Sequence, residues 1–454
     1  MQAPSIPKGT RDFSPEMMFK RNYLLNKIKA VFEKFGFQPL ETPCMENLDT
    51  LTGKYGDEGD QLLFKVLNSG DFLSKTNPED YASGSKAFTK KIAEKGLRYD
   101  LTVPFARYVV KNRGEITFPF KRYQVQPVWR ADRPQKGRYR EFFQCDADVV
   151  GTKSLLCEME IVQMITEAYR SLGLKDYSIK VNNRKILTGI SEYLGQPGKE
   201  SELCVSIDKL DKIGQDKVFE ELVQKGFEES ALSQLTTIFS LSGTNEDKLD
   251  QIAEILSNPT ASEGANELKE IINNLKASGS YESAQLDIDV TLARGLSYYT
   301  GTIFEVKPTS VKMGTITAGG RYDNLTGVFG LPDVSGVGIS FGVDRIYDVM
   351  EELKLFPEEN LQSTQLLIVN FGDDVLAENL KLLKYFRDNH IKTEIFPEAA
   401  KMKKQFNYAN KKNIPFVVMA GSDEIENQKF VLRNMKSGDQ ESLSQEDIVT
   451  SVLK

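Results

Sequence analysis

From about residue 184 to residue 284 the chain reads as a succession of short amphipathic helices, KVFEELVQKG, KLDQIAEILSN and NELKEIINNLKASG among them, punctuated by Gly, Asn and Ser. No strand signal interrupts this block, and strand-like sequence lies on both sides of it. A helical block between two strand-rich blocks is most simply an insertion into one antiparallel-sheet domain. Residues 1–183 and 285–355 are therefore expected to be two parts of one α+β domain, interrupted by a helical insertion over 184–284. Beyond LKLFPEENLQSTQ, a linker-like stretch, the order becomes βαβαβ: LLIVNF, VLAENLKLLKYFRDN, KTEIFP, a lysine-rich helix and PFVVMAG. That alternation predicts a separate α/β domain over 365–454. A chain of 454 residues is long enough for each domain to bury its own core.

Within the first block, residues 16–35 place apolar side chains at helical spacing, and Gly36 follows where a left-handed residue would end the helix. FQPLETPCMEN is strand-like but carries prolines. Segments 117–130 and 138–150 are rich in aromatic and β-branched residues and flank ADRPQKG, which predicts a long hairpin with a basic tip. Residues 153–172 return to the helical period, and 178–183 read as a further strand.

The chain has one histidine, His390. A single imidazole excludes HExxH zinc sites, His-rich metal clusters and the paired histidines of a HIGH box, and it disfavours histidine as a general base. No metal site held by the protein alone is expected. Cys44, Cys145, Cys157 and Cys204 show no CxxC spacing and read as buried thiols of a reducing compartment. The N-terminus has no apolar h-region, and no run reaches the roughly eighteen apolar residues of a membrane span, so a cytoplasmic protein without a membrane partner is expected. Lys+Arg 58 against Asp+Glu 65 gives a net charge of -7, which argues against a general coating for nucleic acid and directs attention to local basic clusters. GVGISFG lacks the dinucleotide GxGxxG spacing, there is no P-loop, and the KMKK run at 401–404 has no HIGH partner.

Four arginine-bearing clusters remain. The hairpin carries Arg130, Arg133, Gln135, Lys136, Arg138, Arg140 and Glu141, with Phe142 as a flat surface for a base. Guanidiniums at the ends of rigid strands suit bidentate contacts to phosphate. Gln144, Asp146 and Asp148 alternate along the second strand, so they share one face, and three polar groups on one face are poor core material. They read as a pocket floor. The other clusters are Arg294 to Gly301 (RGLSYYTG), Ala318 to Asp323 (AGGRYD) and Gly336 to Arg345, where small residues lead into a helix. Together they indicate an anionic, polyphosphate-like ligand.

PKGTRDF at 7–13, RYDLTVPFARY at 98–108, VWRADRPQKGRYREFFQCDADVVG, LARGLSYYTGTIFEV, AGGRYDNL and GVGISFGVDRI, in this order, resemble the motif set of histidyl-tRNA synthetases, a class II family. The resemblance spans nearly the whole chain. LARGLxYYTG and AGGRYD are specific to that family, while the motif 2 and motif 3 arginines are general to class II. It departs at Ser297, where the family usually has Asp.

The resemblance implies a class II catalytic domain with motifs 1 and 2 in 1–183 and motif 3 in 285–355, and an anticodon-binding domain at 365–454. The activity implied is ATP-dependent ligation of L-histidine to histidine tRNA through histidyl-adenylate, with Mg2+. By similarity Arg130 meets the α-phosphate, and Arg345 meets ATP. Arg138 and Glu141 complete the ATP environment, and Phe142 lies under the adenine. Arg294 bridges substrate carboxylate and α-phosphate. Asp100, Thr102 and Gln144 are placed near the α-amino group, Asp148, Tyr299 and Tyr322 around the imidazole, and Tyr298 among the histidine-binding residues. Arg133 and Gln135 would meet the tRNA acceptor end. The lysine-rich helix, with Phe406 and Tyr408 among its lysines, suits phosphates and unstacked bases of the anticodon. Pro43 matches the motif 1 proline of the class II dimer interface, which implies a homodimer. Two rivals are a synthetase-like regulatory or RNA-sensing paralogue and a class II synthetase for another amino acid such as proline or threonine.

Overall fold

The computed structural model describes residues 3–135, 137–293, 298–357 and 364–453. Two compact units emerge, Met1–Asp12 with Arg21–Phe356, and Phe13–Lys20 with Pro357–Lys454. In the first, Met45–Asn47 (β2), Lys65–Val66 (β3) and Lys95–Leu97 (β4) make a small sheet ordered β2-β4-β3. The large sheet is built from Gln38–Pro39 (β1), Phe120–Trp129 (β5), Glu141–Val150 (β6), Tyr177–Asn183 (β7), Leu286–Ile288 (β8), Thr302–Pro308 (β9), Thr317–Tyr322 (β10) and Gly336–Gly342 (β11). Its order is β1-β5-β6-β11-β10-β9-β7-β8. The inner pairs are antiparallel, as expected, and only the outermost pairs, β1 with β5 and β7 with β8, are parallel.

The hairpin is the longest pairing in this sheet. Its ladder runs from Phe120 opposite Val150 to Trp129 opposite Glu141, so Gln144, Asp146 and Asp148 do share a face. The helix Pro15–Lys34 buries Leu24, Ile28, Val31 and Phe32 at the spacing of one face. Gly36 ends it at φ +80, the left-handed position that its place in the sequence anticipates. Leu156–Leu172 buries Ile161, Met164, Ile165, Ala168 and Tyr169, and Tyr169 meets Phe341 of β11 edge-on at 5.9 Å.

The helical block runs from Arg184–Tyr193 to Pro259–Ala277 and joins β7 to β8, which lie side by side. It does not stand apart as a compact unit. Its Leu203, Leu222, Leu235 and Leu249 belong to the same apolar cluster as Ile179 of β7 and Val306 of β9. The block thus extends the core of the sheet domain.

In the second unit Leu366–Ile368 (β12), Thr393–Ile395 (β13) and Phe416–Met419 (β14) pair in parallel, and helices Asp373–Asp388 and Met402–Lys411 connect them. A hairpin of Phe430–Asn434 (β15) and Gln440–Leu443 (β16), then the helix Gln445–Leu453, extend this βαβαβ core. His390 is exposed and sits at φ +64 just after Asp373–Asp388, where the Ile391 amide closes the turn onto the Phe386 carbonyl. Its place is a helix terminus. Among the described residues no helix is long and apolar enough to cross a membrane.

Arg321 of β10, the cation of the AGGRYD cluster, does not face a ligand cavity. Its Nε and Nη2 donate to Glu158 at 2.5 and 2.7 Å, and its Nη1 donates to Ser335 Oγ. This buried pair ties the sheet to the helix Leu156–Leu172. Burial raises the Glu158 carboxyl above its usual range, and Arg321 draws it partly back. Arg321→Ala would strand a buried carboxylate and should destabilise the unit by about 3–5 kcal/mol. Urea unfolding reads this as a lower midpoint, and an unchanged midpoint contradicts the structural role.

Candidate active site

A cavity of about 550 Å³ opens where the hairpin, β9, β10, β11 and the start of the helix Val343–Glu352 meet. Arg130, Arg138, Phe142, Gln144, Asp100, Thr102, Tyr298, Tyr299 and Arg345 line it. Asp148 and Tyr322 line an inner recess that shares Thr102, Tyr298, Tyr299, Ala318, Gly319 and Ser340 with the main cavity. The two form one space with a cationic outer end and an acidic inner end.

At the outer end the Arg130 guanidinium lies over the Tyr99 ring at 4.2 Å, faces Phe142 at 5.2 Å, and donates from Nε to the Tyr99 carbonyl at 3.1 Å. Arg345, in the first turn of its helix, donates to the carbonyls of Gly137 at 3.1 Å and Thr315 at 2.7 Å, which ties it to the hairpin tip. Arg138 is half-exposed and pairs with Asp132 at 2.8 Å. Glu141 does not line the cavity; its carboxylate accepts from the Trp129 indole at 2.7 Å. Arg133 and Gln135 are exposed on the tip and lie outside the cavity wall.

The inner end is built on buried carboxylates. Tyr322 donates to Asp148 Oδ1 at 2.7 Å, and the wholly buried Arg122 of β5 pairs with Asp148 Oδ2 at 2.8 Å. Asp100 Oδ1 accepts from the Tyr55 hydroxyl at 3.0 Å and the Val103 amide at 3.1 Å. Gln144 donates to Ser340 at 3.2 Å. Burial raises the carboxyls of Asp100 and Asp148; the Val103 amide opposes this at Asp100, as the Arg122 charge does at Asp148. Asp146, with the Arg122 charge opposing burial, still reaches about 7. Tyr298, Tyr299 and Tyr322 are raised in turn, by burial and then by neighbouring groups, with a tyrosine foremost at Tyr298 and Asp148 foremost at Tyr299 and Tyr322. Gly338 of β11 leaves room for this arrangement, because a Cβ there would lie 2.0 Å from Asp148 Oδ1.

The sequence profile described as Histidyl-tRNA synthetase matches residues 83–346, and that described as Anticodon binding domain matches 365–454. The Histidine--tRNA ligase of Cytophaga hutchinsonii is 55% identical over 454 residues, covering 100% of both chains, and that of Bacteroides fragilis is 55% identical over 453, covering 99% of each. The chain belongs to the histidyl-tRNA synthetase family. A crystal structure of histidyl-tRNA synthetase from Nostoc sp. superposes with a TM-score of 0.84 at 30% identity, covering 100% of this chain and 99% of that one.

Of the residues that family likeness singles out, Arg294 and the divergent Ser297 lie outside the described residues. Pro43 is exposed, and its carbonyl accepts from Arg98 at 3.3 Å. The lysine-rich helix differs from expectation. Tyr408 packs edge-on against Phe396 at 5.3 Å and Phe406 lies under Arg433 at 5.0 Å, so both aromatics serve the core, and the helix shows solvent its lysines. Cys145, Cys157 and Cys204 are buried as anticipated, but Cys44 is exposed. Arg122 escaped the sequence reading, although hairpin register sets it opposite Asp148. Tyr55 also escaped, since its bond to Asp100 spans 45 residues with no local signature.

Asp146 gives this synthetase a pH signature. With a folded value near 7 against an ordinary 3.8, the folded chain holds this proton more tightly than the unfolded chain. Its contribution to stability therefore falls as pH rises from about 4 to about 7. Asp146→Asn should lose less stability than the parent chain across that window in urea unfolding. Parallel curves contradict the raised value.

Proposed function

We infer that this chain joins L-histidine to its cognate tRNA in two ATP-dependent steps, as a class II aminoacyl-tRNA synthetase. The observation that carries this reading is the inner recess, where Asp148 is held by Arg122 and Tyr322 directly beside an arginine-lined cavity. In the first step a histidine carboxylate oxygen attacks the α-phosphorus of ATP, the bond to the β-phosphate breaks, and diphosphate leaves. In the second, a hydroxyl at the tRNA 3′ end attacks the acyl carbon and AMP leaves. The nucleophile of the first step arrives ionised, so the protein needs no base. Its task is to position the reactants and stabilise charge at the phosphoryl centre.

Arg130 and Arg345 suit the phosphates of Mg-ATP, with Phe142 as the platform for adenine and Arg138 at the mouth. Glu141, whose carboxylate accepts from the Trp129 indole outside the cavity wall, would reach that end only after a change of rotamer. Arg294, by family likeness, spans the histidine carboxylate and the α-phosphate. Mg2+ would come with the nucleotide and supply charge neutralisation at its phosphates, with no site held by the protein alone; Glu305, the buried carboxylate on the cavity wall, already accepts from Thr315. Asp100, Thr102 and Gln144 converge where an ammonium group would sit. Asp148 accepts from one imidazole nitrogen, and the hydroxyls of Tyr298, Tyr299 and Tyr322 complete a polar cage. A substrate that leaves such buried groups unpaired is rejected by up to about 10⁴ to 10⁵.

The exposed Arg133 and Gln135 suit the acceptor end of tRNA, and the exposed lysines of Met402–Lys411 its anticodon arm. We place the catalytic halves at 1–183 and 285–355, the helical insertion at 184–284 and the anticodon-binding domain at 365–454. A homodimer through the Pro43 region and a cytoplasmic setting complete the proposal. Arg130 and Arg345 directed into one cavity weigh against a paralogue without catalysis. The Asp148 recess weighs against proline or threonine as substrate.

Asp148→Ala tests the recess, with thermal melting alongside because the substitution also leaves the buried Arg122 without its carboxylate. Loss of a hydrogen bond to a charged group should raise the KM for histidine by at least about tenfold and leave that for ATP near its parent value, read by pyrophosphate exchange. Equal increases for both substrates contradict the assignment.

A further inference from the structure

The N-terminal segment, residues 3–12, contains no helix or strand, yet it is fastened to the cavity's outer rim at several points. The Arg140 amide donates to the Gly9 carbonyl at 2.8 Å. Gly9 itself sits at φ +88, and a Cβ there would lie 2.8 Å from Arg140 Cγ and 2.9 Å from Pro134 Cγ, so this backbone rests directly on the hairpin tip. The Arg11 guanidinium stacks 3.3 Å from the centre of the Tyr139 ring, and its Nη2 donates to Asp344 Oδ1 at 2.6 Å. Arg21 Nη1 donates to the same oxygen at 2.5 Å.

Tyr139 and Asp344 both line the main cavity. The residue after Asp344 is Arg345, which holds the tip through Gly137. A closed ring results: segment to tip, tip to Arg345, and the neighbouring Asp344 back to the segment. None of Gly9, Arg11, Tyr139, Asp344 or Arg345 lines the inner recess. The ring therefore sets the geometry of the cationic end alone.

We propose that Arg11 is a positioning residue for the nucleotide half of the reaction, holding the hairpin tip and the first turn of the Arg345 helix in register for ATP. This rests on reading the outer end as the ATP site. Arg11 acts through Tyr139 and Asp344 and needs no contact with substrate. Its removal leaves Asp344 paired with Arg21, so no buried carboxylate is stranded and the fold should survive.

The test compares the full-length parent chain with Arg11→Ala, Arg11→Lys, Gly9→Val and, as a control on the site, Arg130→Ala, by histidine-dependent pyrophosphate exchange with thermal melting alongside. Arg11→Ala should lower kcat/KM for ATP roughly 10- to 100-fold, the loss expected for a hydrogen bond between charged groups, with the KM for histidine within about twofold of the parent. Arg11→Lys keeps the charge but not the planar stack, and should recover part of the loss. Gly9→Val should show the same split without touching the ion pair. Parent-like ATP kinetics in both Arg11→Ala and Gly9→Val overturn the proposal. So does a fall in kcat at unchanged KM values that tracks a lower melting temperature, and so does an equal rise in the KM for histidine. If Arg130→Ala keeps parent-like ATP kinetics, the reading of the outer end fails and the proposal falls with it. If Arg130→Ala loses ATP turnover and the Arg11 and Gly9 variants do not, the proposal alone fails.

Discussion

A carboxylate removed from water costs several kcal/mol unless the protein supplies its partners, and much of the sheet is arranged to supply them to Asp148. Arg122 comes from β5, Asp148 from β6 and Tyr322 from β10, while Gly338 on β11 provides the space. These four strands are consecutive in the sheet. A slip of one residue in any pairing would turn a partner to the opposite face and leave a buried charge alone. The register of the large sheet and the chemistry of the recess are thus a single constraint. The surrounding apolar cluster, including the helical block, holds those strands in place.

The same sheet separates two kinds of charge along one cavity. Guanidiniums gather at the hairpin tip and the Arg345 helix, where rigid backbone carbonyls of Tyr99, Gly137 and Thr315 aim them. Carboxylates and tyrosine hydroxyls gather below. A reaction joining an amino acid to a polyphosphate nucleotide needs this polarity, because charge develops at phosphorus while the amino acid's cationic groups must be read elsewhere. It has no need of an enzymic imidazole, which accords with a chain whose one histidine closes a helix end.

Local pattern made the hairpin legible, and with it the shared face of Gln144, Asp146 and Asp148, because period-two alternation and a basic turn are written in consecutive residues. The glycine-flanked Tyr322 and Arg345 were legible for the same reason. Arg321 was not: its cluster looks like that of a ligand site, and only the packing of β10 on the helix Leu156–Leu172 shows that Glu158 takes the cation. Phe406 and Tyr408 misled similarly, since alternation with lysines does not say which face of a helix a sheet will cover. Tyr55 depends on a bond across 45 residues, which composition and motif do not encode, and Arg122 follows only once the hairpin's register is fixed residue by residue.

In the function we propose, the acidic recess selects histidine and the cationic cavity activates it. ATP–pyrophosphate exchange by the purified full-length chain, run separately with each of the twenty amino acids, tests both halves at once. Exchange with histidine and with no other amino acid is the predicted result. Exchange with none of the twenty, or exchange led by a different amino acid, contradicts it.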